Sequence, residues 1–154
     1  MARSEFAFHH RFRVRWSETD AQGVVFNARY LDYADVAVTE YWRAVKFRDY
    51  ADGAPLEFHV KKATVTWFAP IKPDELIDVM ARTVATGRTS MTQIVEIHGI
   101  TEDGSDDLRA TVDLVSVHVD LDTHRPIPLP HWVKDVFLNF DQQAATPAVA
   151  MADA

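Results

Sequence analysis

A chain of 154 residues suits one domain large enough to bury a proper core, and 47% hydrophobic with 25% charged residues is ordinary for a soluble globular protein. There is no cysteine, which excludes disulfides, thiolate metal sites and a cysteine nucleophile. A formal charge of −7 argues against a nucleic-acid partner, which normally meets a basic face.

The first expected element is a strand over residues 10–16, where Phe12, Val14 and Trp16 alternate with Arg11, Arg13 and Arg15 at the period of a half-buried strand. A loop over residues 17–26 follows, with Gly23 supplying its turn. The spacing then predicts one long helix over residues 27–47. Leu31, Ala34, Val38, Tyr41, Trp42 and Val45 form its apolar stripe, and Asn27 is its expected N-cap. Asp52-Gly53-Ala54-Pro55 closes the connection after it.

Strands are expected next over residues 57–68, 75–86, 90–101 and 108–120. Pro70 and Pro73 end the first, and turns at Gly87-Arg88-Thr89 and Asp103-Gly104 join the others. Ile77, Val79, Ala81 and Thr83 share one face of the second run, and Val115, Val117 and Val119 share one face of the last. The three late runs are about ten to twelve residues each, longer than the usual strand, and imply a strongly bent antiparallel sheet. Arg125-Pro126-Ile127-Pro128-Leu129-Pro130 leads into a short helix over residues 131–140. A single domain over residues 1–141 and a small, polar, disordered tail over residues 142–154 complete the expectation. One long helix must cover one face of the sheet, so the fold class is α+β: a hotdog, with a bent antiparallel sheet wrapped round a long central helix.

The stretch with chemical content is Thr19-Asp20-Ala21-Gln22-Gly23-Val24-Val25-Phe26-Asn27, which runs directly into the long helix. A carboxylate precedes a glycine turn, and a helix N-terminus presents unpaired N–H groups and a positive dipole end. Such donors polarise a carbonyl and hold an oxyanion while the carboxylate attacks or activates water. The spacing reads as a small acyl-transfer site.

Asp20-Ala21-Gln22-Gly23-Val24-Val25-Phe26 resembles the active-site loop of the hotdog-fold acyl-CoA thioesterases related to 4-hydroxybenzoyl-CoA thioesterase. Further echoes are Phe68-Ala69-Pro70 with Asp74-Glu75-Leu76, then Gly87-Arg88-Thr89-Ser90, and Arg125-Pro126-Ile127-Pro128; the resemblance covers roughly residues 8 to 135. It implies that Asp20 is nucleophile or general base, and that backbone N–H groups near Asn27 bind the thioester carbonyl. Relatives with a Gly-Val-Val-type loop often place histidine at the helix start, where this chain has Asn27; others carry asparagine there. The resemblance also implies a homodimer as the minimum unit, with a homotetramer expected, the active site forming where the helix start of one subunit meets the sheet of the other.

Gly23, Val24, Phe26, Tyr30 and Trp67 are the expected substrate-binding residues beside Asp20, with Arg88, Thr89 and Ser90 expected at the coenzyme A phosphates. An aspartate before a helix is, by itself, more often a turn former than a catalyst. Glu40, mid-helix, reads as a solvated or subunit-contacting residue with Asp20 available. His9, His10, His59, His98, His118, His124 and His131 lack the i, i+4 pairing of a helical zinc site, so no metal is expected. No cofactor is expected, since coenzyme A belongs to the substrate. Residues 1–6 lack the apolar core of a secretory signal and no segment is apolar for long enough to span a bilayer, so the expectation is a cytoplasmic protein with no membrane partner. The leading function is acyl-CoA hydrolysis; the alternatives are an acyl-carrier-protein thioesterase and a non-catalytic hotdog or cystatin-like binding module.

Overall fold

The computed structural model describes residues 1–144, in which β1 (Phe8–Arg13), α1 (Arg29–Val45), β2 (Phe58–Trp67), β3 (Leu76–Thr86), β4 (Ser90–Gly99), β5 (Leu108–His118) and α2 (Val133–Asp141) follow one another. All five strands pair antiparallel in one sheet of order β1-β3-β4-β5-β2. Irregularities between Val60 and Lys62, Thr83 and Ala85, and Ile97 and His98 interrupt the ladders. Bulges of this kind sharpen twist and bend, which lets strands of this length curl around α1. The result is the α+β hotdog expected from the element order.

α1 buries Tyr30, Tyr33, Ala34, Ala37, Tyr41 and Val45. They pack on Ile77, Val79 and Ala81 of β3, Val95 and Ile97 of β4, and Val112 of β5. The stripe is rotated from the expected one: Leu31 is 44% exposed, and Tyr30 and Tyr33 take the core-facing places. Hydropathy favours leucine over tyrosine, yet a tyrosine can be buried when its hydroxyl finds a partner at the core's edge. Tyr33 donates to Glu18 Oε1 at 3.1 Å and Tyr41 to Asp141 Oδ2 at 2.8 Å.

Two strand assignments shift for comparable reasons. β1 ends at Arg13, and Trp16 sits 72% exposed in a 3-10 turn. Val14 has both backbone groups committed to Glu75 and Asp74, and the Glu18 carboxylate accepts the Arg15 N–H, so the chain turns there. In β5 the core face carries Ala110, Val112 and Leu114, while Val115 and Val117 lie half-buried on the other face. Pairing of Val95 with Val112 sets that parity, which valine-rich sequence on both faces left ambiguous.

The outer face of β3 and β4 holds Asp78, Glu96 and His98, all buried. Burial pushes the Asp78 carboxyl up, but hydrogen bonds from Arg11 and Arg3, then their charges, outweigh it and hold it below the usual range. His98 accepts the Asp107 N–H at Nδ1 and therefore donates from Nε2 to Glu96 Oε1 at 3.0 Å. Residues 142–144 of the expected tail continue α2 as a 3-10 turn, Gln142–Ala144; its remainder, residues 145–154, lies outside the described residues.

Candidate active site

The Asp20 segment folds as a tight hairpin. Thr19 and Val25 form an isolated antiparallel bridge, the Asp20 N–H donates to Val24 O at 2.9 Å, and the Gly23 N–H donates to Asp20 O at 3.0 Å. Gly23 takes φ +75°, a backbone state that costs an L side chain about 1–2 kcal/mol. The Asp20 side chain accepts the Gln22 N–H at Oδ1 (2.8 Å), an Asx turn that aims the carboxylate. Its Oδ2 has no hydrogen-bond partner among the described residues, and the residue is half-exposed.

The hairpin is fixed on two sides. The Val25 N–H donates to Ile71 O at 2.8 Å, and the Phe26 N–H to Glu18 O at 3.0 Å. Glu18 in turn accepts the Tyr33 hydroxyl, which ties the hairpin to α1. Phe26 O then accepts the Arg29 N–H at 2.9 Å, and α1 begins.

Asn27 does not cap that helix. The cap position is Ala28, no side chain bonds into the first turn, and Asn27 is exposed. The chain reaches the helix through the Phe26–Arg29 turn, which leaves the N–H groups of Asn27 and Ala28 without hydrogen-bond partners among the described residues. These two main-chain donors lie at the positive end of α1. Asn27→Ala is accordingly expected to change stability by less than about 0.5 kcal/mol, against the ~1 kcal/mol of a lost cap. Thermal melts and kcat measured side by side check this, and a dead Asn27→Ala enzyme would give the side chain a direct catalytic role.

Tyr30 stands on the first turn of α1, 2% exposed, with its ring edge-on to Trp67 at 6.0 Å. Burial pushes its hydroxyl up, Arg109 pulls it down, and Glu75 and Asp20 push it further up, so the phenol lies within the field of all three. Arg109 is itself gripped. It donates from Nη2 to Glu75 Oε1 (2.7 Å) and Asp107 Oδ2 (2.8 Å), and from Nη1 to Pro70 O (2.8 Å). Those carboxylates hold the guanidinium pKa above its ordinary value despite burial. A cavity of about 610 Å³ opens beside it, lined by Ala69, Pro70, Lys72, Glu75 and Arg109 among others. Phe26, Trp67 and Phe68, half-exposed or more, put aromatic surface at this end of the molecule.

The structure thus brings Asp20, Gly23, Val24, Phe26, Asn27, Tyr30 and Trp67 to one end of the sheet. It does not bring Arg88, Thr89 and Ser90 there. Trp67 pairs with Ala110 and Ser90 with Val117 on the same strand, β5, so about 24 Å of strand separates them within one chain. Glu40 ion-pairs with Arg43 on the surface of α1, whose hydrogen bond lowers its pKa. Sequence reasoning missed Glu18 and Arg109. Glu18's partner Tyr33 lies outside the expected apolar stripe, and Arg109 meets Pro70 and Glu75 from more than thirty positions away, with nothing local to signal it.

The family model of the thioesterase-like superfamily matches residues 14–137. An acyl-CoA thioesterase of Haemophilus influenzae, YbgC, is 31% identical over 135 residues, which cover 81% of this chain and 90% of that protein. A thioesterase from Thermus thermophilus, solved complexed with coenzyme A and Zn, superposes with a TM-score of 0.74 at 25% identity over 90% of this chain and 97% of its own. A 4-hydroxybenzoyl-CoA thioesterase mutant complexed with 4-hydroxybenzoyl-CoA shares the fold, with a TM-score of 0.74 at 15% identity over 84% of this chain and 97% of its own. A match that runs from Val14, directly after β1, into α2 means that the chain belongs to the thioesterase-like superfamily.

Proposed function

We propose that this protein hydrolyses acyl-CoA thioesters to the free acid and coenzyme A, with Asp20 as the reacting carboxylate. The observation that carries this reading is an aspartate aimed by its own Asx turn, one oxygen unpartnered among the described residues, on the hairpin that delivers two unpaired N–H groups at the start of α1. The activity of the Haemophilus influenzae relative supports it.

A thioester is already an activated acyl group, so a positioned carboxylate and an oxyanion hole suffice. As nucleophile, Asp20 forms a C–O bond to the thioester carbonyl, and the oxyanion is held by the N–H groups of Asn27 and Ala28. Collapse breaks the C–S bond, the thiolate leaves and takes a proton from solvent, and water then cleaves the acyl-aspartyl anhydride. As general base, Asp20 takes the proton of a water that adds to the carbonyl and returns it to the departing sulfur. Either route consumes one water and needs no cofactor.

The working unit we propose is a homodimer joined through β2, with a tetramer of two dimers as the larger assembly. β2 pairs only with β5 among the described strands, and its free edge carries Val60, 61% exposed. No helix among the described residues is long and apolar enough to cross a membrane.

Incubation with a panel of acyl-CoAs and a thiol-reactive dye tests the chemistry. Thiol release from at least one substrate is expected; a silent panel that turns over once the acyl group is loaded on a carrier protein would move the substrate class. Light scattering at micromolar concentration tests the assembly, and a fully active monomer of 17.5 kDa would remove the shared site.

A further inference from the structure

The Asp20 hairpin has no strand of its own to rest on. Besides the Glu18–Tyr33 tie to α1, what holds it is the segment between β2 and β3. Ile71 O accepts the Val25 N–H, the Asp74 N–H donates to Val14 O (3.0 Å), and Glu75 O accepts the Val14 N–H (2.9 Å). Val14 enters the Asp20 segment and Val25 leaves it, so both ends hang on residues 71–75. That segment is not regular structure; its main chain is tied to Val14 at one end and to the Arg109 carbonyl before the other, and the Ile71 side chain is buried in the core. Arg13 of β1 reaches its end, donating from Nη1 to Asp74 O at 2.5 Å, and one further side chain spans its whole length. Arg109, on β5, donates to Pro70 O just before the segment and to both Glu75 carboxylate oxygens at its end, 2.7 and 3.2 Å. A second carboxylate, Asp107, accepts its Nε and Nη2 at 3.1 and 2.8 Å and locks the guanidinium plane. The Arg109 backbone joins in, its carbonyl accepting the Phe68 and Ala69 N–H groups.

We infer that Arg109 is a positioning residue for the hydrolysis proposed above: it brackets residues 70–75 and through them sets where the Asp20 carboxylate stands relative to the start of α1. The inference rests on that functional reading for its kinetic consequence, not for its structural one. A planar fork with donors on three sides is what the geometry uses, since one side chain must satisfy a main-chain carbonyl and two carboxylates at once. A lysine ammonium on the same strand keeps the charge and cannot span all three acceptors.

Arg109→Lys and Glu75→Gln are the test, each read by steady-state kinetics, melting temperature and amide exchange at Val14 and Val25. The expected result is a fall in kcat of about 10²-fold, the scale of a small displacement of a reacting group, with KM within about threefold, together with faster exchange at Val25. A merely structural Arg109 would lower the melting temperature and leave kcat at well-folded temperatures unchanged; that outcome overturns the inference. So does Val25 exchange as slow as in the wild type in either folded variant. If the wild type releases thiol from no acyl-CoA, the thioesterase reading falls while the exchange measurement still decides whether Arg109 holds the hairpin. Should Arg109→Lys fail to fold, Glu75→Gln, which keeps the side-chain shape and weakens the same pair, decides the matter by the same measurements.

Discussion

Asp20→Asn is expected to lower kcat on acyl-CoA substrates by about 10³-fold, within the range for losing a positioned base or nucleophile, with little change in melting temperature. The fold survives because the Asx turn needs only an acceptor. The amide oxygen of asparagine can still receive the Gln22 N–H that Asp20 Oδ1 receives at 2.8 Å, and the main-chain bonds of the hairpin involve no side chain. Chemistry does not survive, since an amide neither attacks a thioester nor takes a proton from water. KM should move little, because the proposed carbonyl donors are the N–H groups of Asn27 and Ala28. Other carboxylates are poorly placed to substitute. Glu18 is held by the Tyr33 hydroxyl and the Arg15 N–H, and Glu40 is paired with Arg43 further along α1. A mutant turning over near the wild-type rate would remove Asp20 from the mechanism.

The legible part of this site was local. Asp20, Gly23 and the helix that follows lie within a dozen residues, and a carboxylate, a φ-positive turn and a helix start are each written in residue type. The fold was legible for a similar reason: one long amphipathic run and five strand-length runs leave few ways to bury their apolar faces. What escaped was cross-chain. Tyr33 looks like a second-choice core residue until Glu18 arrives to take its hydroxyl, and the Asp141 acceptor of the Tyr41 hydroxyl lies a hundred positions away. The Arg88-Thr89-Ser90 turn, expected at the coenzyme A phosphates, lies within one chain at the opposite end of β3 from the Asp20 hairpin, so only a second subunit could bring it to the site. Arg109 is one of many arginines in the sequence, and only the sheet register reveals that it sits beneath the segment that carries the hairpin.

The second large effect is expected in stability, at Asp141→Ala. Asp141 ends α2, 2% exposed, and accepts the Tyr41 hydroxyl at Oδ1 (3.0 Å) and Oδ2 (2.8 Å) and the Thr83 N–H at Oδ2 (3.0 Å). It thereby joins α2, the middle of α1 and β3 at one buried point. The network extends through Gln93, which donates to Thr83 Oγ1 and accepts the Trp42 indole N–H, both at 3.2 Å. Removing the carboxylate deletes a charged acceptor and leaves a small cavity, a loss of about 2–4 kcal/mol. In a domain of this size that is roughly 4–16 °C in Tm. The pH dependence has a definite sign. Burial raises the Asp141 pKa, and the bonds from Thr83 and Tyr41 and the charge of Arg82 only partly offset it. A carboxyl whose folded pKa lies above its unfolded value contributes stability that is complete below the unfolded pKa, about 4, and declines as pH rises through the folded value. The wild type should therefore lose ground to a non-titrating variant on going from pH 4 to pH 7, so the penalty of Asp141→Ala is larger at pH 4 than at pH 7. Asp141→Asn, which keeps one acceptor for the Tyr41 hydroxyl, should follow the same trend from a smaller penalty. Urea melts of the three proteins at the two pH values decide it: a penalty for Asp141→Ala that grew toward pH 7 would mean the buried carboxylate is stabilised as an anion, and that hydrogen bonding rather than desolvation governs this end of α2.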